Sequence, residues 1–331
     1  MEKLAVPGIR IASTGIYLPE KILTNKDLET MVDTNDEWII SRTGIKERHI
    51  AAEGQLASDM GAEAAKQAIA NANLTPEDID LILVATITPD AIFPSTACFV
   101  QKKIGATKAA AMDIQAACTG FLYGLIGVQG YIATGMYKNV LLIGAERISS
   151  VIDWTDRNTC VLFGDGAGAV VIQPTYETPG ILASRLGADG NASDILYLHN
   201  GRKDICFGID SETLPRDAMN MSGQEVFKKA VTEMGASAQH SLEVAGCTIE
   251  DITCVISHQA NIRIIKALCD RLKVPQEKRF INIDRYGNIS AACIPIAMHE
   301  AKEHYNLQRG DKILLVAFGG GLTWGSCVLE W

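Results

Sequence analysis

The sequence predicts an α/β fold made of two related halves. Short β-branched apolar runs alternate with longer helical segments. Residues 81–85, 140–143, 254–257 and 313–316 read as buried strands. Unbroken apolar runs of that kind suit a sheet covered on both faces. The second observation is recurrence. Glu77 and Glu250 each lead into such a run, and the interval between them equals that between Leu141 and Leu314. The approaches to Cys118 and Asn288 recur at nearly the same interval. Matched order and spacing point to a duplicated α/β unit. Residues 174–180 are the natural boundary, giving an N-terminal half 1–174 and a C-terminal half 175–331.

Composition narrows the class. At 331 residues the chain exceeds what one core ordinarily serves. A net charge of -9 makes general nucleic-acid binding unattractive. The nine cysteines include no C-x-x-C pair and are odd in number, which argues against a disulfide framework and against a zinc knuckle. Scattered cysteines suit a reducing cytoplasm. Residues 120–137 are the most apolar stretch, but glycines and Gln129 interrupt it, so it reads as a buried helix and not a membrane span.

Three polar residues stand out by their surroundings. Cys118 precedes an apolar, glycine-rich helix and has small neighbours, so its sulfur should be reachable. The positive end of that helix is expected to lower its pKa. His258 follows a buried strand in Ser257-His258-Gln259-Ala260-Asn261, and strand ends are where α/β proteins place their sites. Asn288 lies in Tyr286-Gly287-Asn288-Ile289-Ser290. Each has an ordinary alternative: a buried thiol, a core histidine, a helix cap. Of two glycine-rich stretches, residues 163–169 lack the following helix that a dinucleotide loop requires and read as a tight structural turn. Residues 318–322 could bring backbone N–H groups to a site as an oxyanion hole, or could form a plain hairpin.

Together, DIQAACTGF, FGDGAGAVV, SHQAN, YGNISAA and AFGGGLTWGS resemble, in order and spacing, the β-ketoacyl-acyl-carrier-protein synthase III family. The stretch 32–45 resembles it too, so the likeness runs from about Ile9 to the C-terminus. It implies the thiolase-like five-layer αβαβα fold, a homodimer, and the initiating condensation of type II fatty-acid synthesis. Cys118 would take an acyl group from acyl-coenzyme A, with the N–H groups of Cys118 and Gly320 as oxyanion donors. His258 and Asn288 would then support decarboxylation of malonyl-acyl-carrier protein. No permanently bound cofactor and no metal is implied; the coenzyme A thioester is a substrate. The resemblance has Trp38 and Arg157 sandwiching its adenine, Arg42 near the phosphates, and Gly223, Phe227, Ala260 and Asn261 along the pantetheine tunnel. Gln259, Arg263, Lys266, Arg271 and Lys228 would meet the acidic carrier. Phe93 would reach across the dimer to cap the acyl pocket, with Leu322 shaping it.

Thr119, Asn158 and Gln224 depart from the family's common residues without removing a catalytic group. A synthase III-like enzyme priming a polyketide or other secondary pathway is the alternative. A papain-type protease shares the Cys, His, Asn order but would need its own cysteine motif. A binding-only dinucleotide module fails on the strand after the glycines.

Overall fold

The computed structural model describes residues 4–198 and 218–331; Cys206 lies outside them. The first half runs β1 (Gly8–Tyr17), β2 (Lys21–Thr24), α1 (Asn25–Glu29), α2 (Asp36–Thr43), β3 (Glu47–Ile50), α3 (Ala57–Asn71), β4 (Leu81–Ala85), α4 (Thr96–Ile104), β5 (Ala110–Ile114), α5 (Gly120–Ala133), β6 (Val140–Arg147) and β7 (Asp165–Thr175). The second runs β8 (Ile181–Ala188), β9 (Leu196–Tyr197), β10 (Asn220–Met221), α6 (Gly223–Ala245), β11 (Cys254–Ser257), α7 (Ile262–Arg271), β12 (Arg279–Phe280), α8 (Ile283–Tyr286), α9 (Cys293–His304), β13 (Lys312–Gly319) and β14 (Thr323–Glu330).

Two five-stranded sheets carry the architecture, in the orders β1-β7-β6-β4-β5 and β8-β14-β13-β11-β12. These are the same order in the two halves. The starts of β1 and β8, of β4 and β11, and of α5 and α9 are separated by one constant interval. The 3-10 turns Ala117–Thr119 and Ser290–Ala292 keep it too. The register makes Ala291, not Asn288, the counterpart of Cys118. Asn288 sits three residues earlier on its own turn.

Strand alternation builds the layers. On β4, Ile82 and Val84 pack outward with α3 and α4. Leu81, Leu83 and Ala85 face inward against α5 and α9. On β11, Val255 faces α6 and α7, while Cys254 and Ile256 face the central helices. The result is helix, sheet, helix, sheet, helix. Residues 163–169 are not the tight turn read from sequence: Asp165 opens β7, and Gly166 and Gly168 lie within the strand. Their purpose is close packing. A β-carbon on Gly168 would stand 2.8 Å from the backbone N of Ile296 in α9, and one on Gly144 of β6 2.4 Å from the carbonyl of Ala291. Small residues there let the central helix layer lie directly on the first sheet.

Candidate active site

Cys118, His258 and Asn288 converge on one cavity of about 490 Å³, where Ser290 and Gly320 also form wall. Cys118 lies in the turn between β5 and α5, His258 directly after β11, and Gly320 between β13 and β14. Asn288 lies between α8 and the turn 290–292. This is where parallel strands end and open a crevice. The ladder fixes the histidine: Ser257 pairs with Val316, and the His258 N–H donates to the Val316 carbonyl at 2.7 Å.

Cys118 is buried, with 8% exposure, one residue after Ala117, which holds a left-handed φ of 47°. Burial pushes its thiol up to about 12, opposed by the nearby Ser290 hydroxyl and reinforced by the nearby Glu146 carboxyl. The lowered pKa expected from the helix terminus is therefore corrected. Desolvation is the largest cause acting on the thiol and opposes the helix terminus. The resting side chain is a thiol.

Burial also lowers His258 to about 4, so its ring is neutral at physiological pH. A neutral imidazole offers one N–H donor. The Asn288 carboxamide is oriented by the Ser290 N–H, which donates to its Oδ1 at 2.8 Å. That leaves Nδ2 as the donor end. The Asn288 backbone is clamped on both sides, its N–H donating to Leu162 O at 2.9 Å and its carbonyl accepting from Gly164 N at 3.1 Å. A neutral donor pair on one dry wall suits a developing oxyanion.

The turn after β13 approaches the nucleophile closely. A β-carbon on Gly319 would stand 2.7 Å from the Cys118 nitrogen. The Thr323 hydroxyl ties the two segments, lying within 3.1 Å of the carbonyls of Ala116 and Gly320 and 3.0 Å from Thr119 Oγ1. Thr119 thus serves this tie; it is fully buried and does not line the cavity.

Toward the mouth, Trp38, Arg42, Gly223, Phe227, Ala260 and Asn261 line the cavity. Asn35 caps α2 by accepting from the Trp38 N–H at 2.8 Å, and Trp38 and Arg42 share a face one turn apart. Arg157 lies over the Trp38 ring at 5.3 Å and donates to the Asp33 carbonyl at 2.8 Å. An interleaved base needs about 7 Å, twice a van der Waals contact, so adenine would have to displace the guanidinium. Asn158 lines the cavity; Gln224 is exposed and does not.

Two predicted residues are elsewhere. Gln259 is 1% exposed: its amide donates to the Ser257 carbonyl, and its Oε1 accepts from the N–H groups of Asn282 and Ile283. It cannot meet a docking protein. Leu322 is fully buried in the core beside the second sheet, outside the cavity wall. Arg263, Lys266, Arg271 and Lys228 are exposed, with the Arg263 guanidinium 5.8 Å above the Phe227 ring at the mouth. Phe93 is 84% exposed. Sequence reasoning missed Glu146 and the side chain of Ser290, both fully buried beside Cys118. The signal for Glu146 was there: an acid closing an otherwise apolar run.

Comparison with known proteins agrees in sequence and in fold. Residues 112–190 match the family 3-oxoacyl-[acyl-carrier-protein] synthase III, and residues 242–331 match its C-terminal part. A β-ketoacyl-[acyl-carrier-protein] synthase III from Caldanaerobacter subterraneus subsp. tengcongensis is 54% identical over 97% of both chains. One from Desulfitobacterium hafniense is 51% identical over 98% of both. The crystal structure of 3-oxoacyl-[acyl-carrier-protein] synthase III from Aquifex aeolicus superposes with a TM-score of 0.91 at 49% identity. It covers 98% of this chain and 100% of its own.

Proposed function

The chain belongs to the β-ketoacyl-[acyl-carrier-protein] synthase III family, the condensing enzymes that initiate fatty-acid synthesis, and on that premise we propose how its residues divide the work. Cys118 takes the acyl group from an acyl-coenzyme A thioester, while the N–H groups of Cys118 and Gly320 receive the oxyanion of the tetrahedral intermediate. Coenzyme A is a substrate that comes and goes. Its pantetheine lies along Gly223, Phe227, Ala260 and Asn261, and its adenine enters between Trp38 and Arg157, with Arg42 at the phosphates. Indole and guanidinium planes both stack on a base.

Malonyl-acyl-carrier protein then occupies the same mouth. Loss of CO₂ places negative charge on the thioester oxygen, which the His258 ring N–H and Asn288 Nδ2 receive as neutral donors. The resulting carbanion attacks the acyl carbonyl on Cys118 and leaves as the β-ketoacyl carrier. Arg263 at the mouth, with Lys228, Lys266 and Arg271 on the exposed faces of α6 and α7, would steer an acidic carrier despite the chain's net charge of -9.

A second copy of the chain completes the assembly in this reading. β5 is an edge strand, and Ile92 and Phe93 are 86% and 84% exposed. Burying them against a partner would join two edges and place Phe93 at the neighbouring acyl pocket. A cytoplasmic setting fits the free cysteines. Among the described residues no helix is long and apolar enough to cross a membrane.

The observation that carries this reading is the convergence of sulfur, imidazole and carboxamide on one buried cavity. Intact-protein mass spectrometry after incubation with a series of acyl-coenzyme A thioesters should show one acyl mass on Cys118. Cys118→Ala should lose acylation and condensation yet still decarboxylate the malonyl carrier. Asn288→Ala should acylate but decarboxylate about 10²–10³-fold more slowly. Condensation by Cys118→Ala at the original rate would sink the assignment.

A further inference from the structure

Beneath the cavity wall lies a carboxyl that the reaction as described leaves idle. Glu146 stands near the end of β6, is fully buried, and does not itself line the cavity. Its Oε2 accepts from the hydroxyls of Thr86 and Thr88 at 3.1 and 2.7 Å and from the Ile87 N–H at 3.1 Å. Oε1 has one long contact, 3.3 Å from the same N–H. Among the described residues, no lysine, arginine or histidine pairs with it. A buried carboxylate without a cation is costly, and such groups concentrate where chemistry needs them.

Ser290 stands between this carboxyl and the nucleophile. It lines the cavity, is fully buried, and its Oγ has no hydrogen bond of ordinary geometry among the described residues. The turn that carries it packs on β6, where Gly144 and Glu146 share a face and a β-carbon on Gly144 would stand 2.4 Å from the Ala291 carbonyl, and the Ser290 hydroxyl lowers both the Cys118 thiol and the Glu146 carboxyl. Its left-handed φ of 47° repeats that of Ala117, its counterpart in the first half. A non-glycine residue held in that conformation at a site is strain the surrounding structure must offset.

We propose that Ser290 and Glu146 form a proton relay for Cys118: Ser290 Oγ takes the thiol proton while its own proton passes to the Glu146 carboxylate. As this occurs, Sγ bonds to the acyl carbon and the bond from that carbon to the coenzyme A sulfur breaks. The coenzyme A thiolate leaves toward the open mouth and is protonated by solvent. In the second half-reaction, carbanion attack expels Cys118 as a thiolate, and the relay runs backward to restore thiol and carboxylate. Over the cycle one proton is consumed from solvent, as the loss of CO₂ from a malonyl carboxylate requires.

The thiol needs such an acceptor because burial keeps it protonated, and the imidazole of His258 is held too weakly basic to serve. Burial raises Glu146 to about 7, where a carboxylate can both take and return a proton at physiological pH. The titratable groups facing it are Cys118, from the turn before α5, and Cys293, at the start of α9. The segment 86–88 and the turn 290–292 present only hydroxyls and backbone. Cys293 is pushed up by burial and stays a thiol, so it does not compete.

The inference rests on the functional reading above, and single-turnover acylation separates the two. The unaltered protein should acylate with a rate that rises with pH through about 7. Glu146→Gln retains the shape and accepting oxygen but should lose that rise and acylate about 10²-fold more slowly or worse. Ser290→Gly removes the hydroxyl while easing the left-handed backbone, so it should fold and show the same loss. In both variants the deficit should appear in the acylation rate and not in the affinity for acyl-coenzyme A. Original rates and pH profile in either variant would overturn the relay while leaving the functional reading intact. Failure of the unaltered protein to acylate would overturn both.

Discussion

The site's protonation states are set by burial, and they differ residue by residue. His258 is held neutral to about pH 4, well below the ordinary histidine value of 6.5. A neutral donor remains a donor across the range in which an exposed imidazole would gain charge. Decarboxylation of the malonyl carrier by Cys118→Ala should therefore stay level from about pH 8 down to about pH 5. It should change only as pH falls through about 4, when the ring takes its second proton. A change centred near 6.5 would show that the ring is solvated in the working enzyme. Cys118 presents the opposite case, because burial disfavours its charged form and makes a proton acceptor necessary.

At the scale of elements, the turns Ala117–Thr119 and Ser290–Ala292 do the positioning, and the sheets leave room for them. Gly144 on β6 sits against Ala291 so closely that an added β-carbon would be 2.4 Å from its carbonyl. Gly144→Ala should destabilise the protein by about 1–3 kcal/mol in urea unfolding. It should also slow condensation, since the turn it pushes carries Ser290. Gly127, inside α5, has nothing within 4 Å of the same added atom. There the helix gains propensity, so Gly127→Ala should stabilise by about 0.5–1 kcal/mol. Equal effects at the two positions would refute the packing argument. The capped helix α2 shows how local signals reach the site: Asn35 fixes its start, and Trp38 and Arg42 fall on one face.

For the whole molecule, the duplicated topology explains why the reactive groups meet. Two equivalent sheets sandwich α5 and α9, so the turns before those helices face one another at the same end of the central layer. Cys118 comes from one half, and His258 and Asn288 from the other. The exposed Ile92 and Phe93 extend the argument to a pair of chains. On the proposed dimer, Phe93→Asp should shift sedimentation toward monomer and alter which acyl chains label Cys118. An unchanged mass and acyl preference would remove Phe93 from the interface. The four buried strands, the helix after Cys118 and the recurrence at a fixed interval were legible because periodicity and spacing are properties of the chain itself. The glycines at 164–168 were misread because a strand rich in glycine looks like a turn until the helix packed on it is known.

The amino-acid order alone determined the alternation of strands and helices, the doubled plan, and the thiol, imidazole and carboxamide available for chemistry. These follow from residue type and spacing along one dimension. Tertiary structure decided what no spacing carries: that Gln259 and Leu322 turn inward, that Arg157 already covers Trp38, and that Glu146 is fully buried beneath the wall that carries Ser290. It also decided that the thiol is protonated and the histidine neutral. Desolvation depends on everything that surrounds a group, and those surroundings exist only once distant segments have packed together.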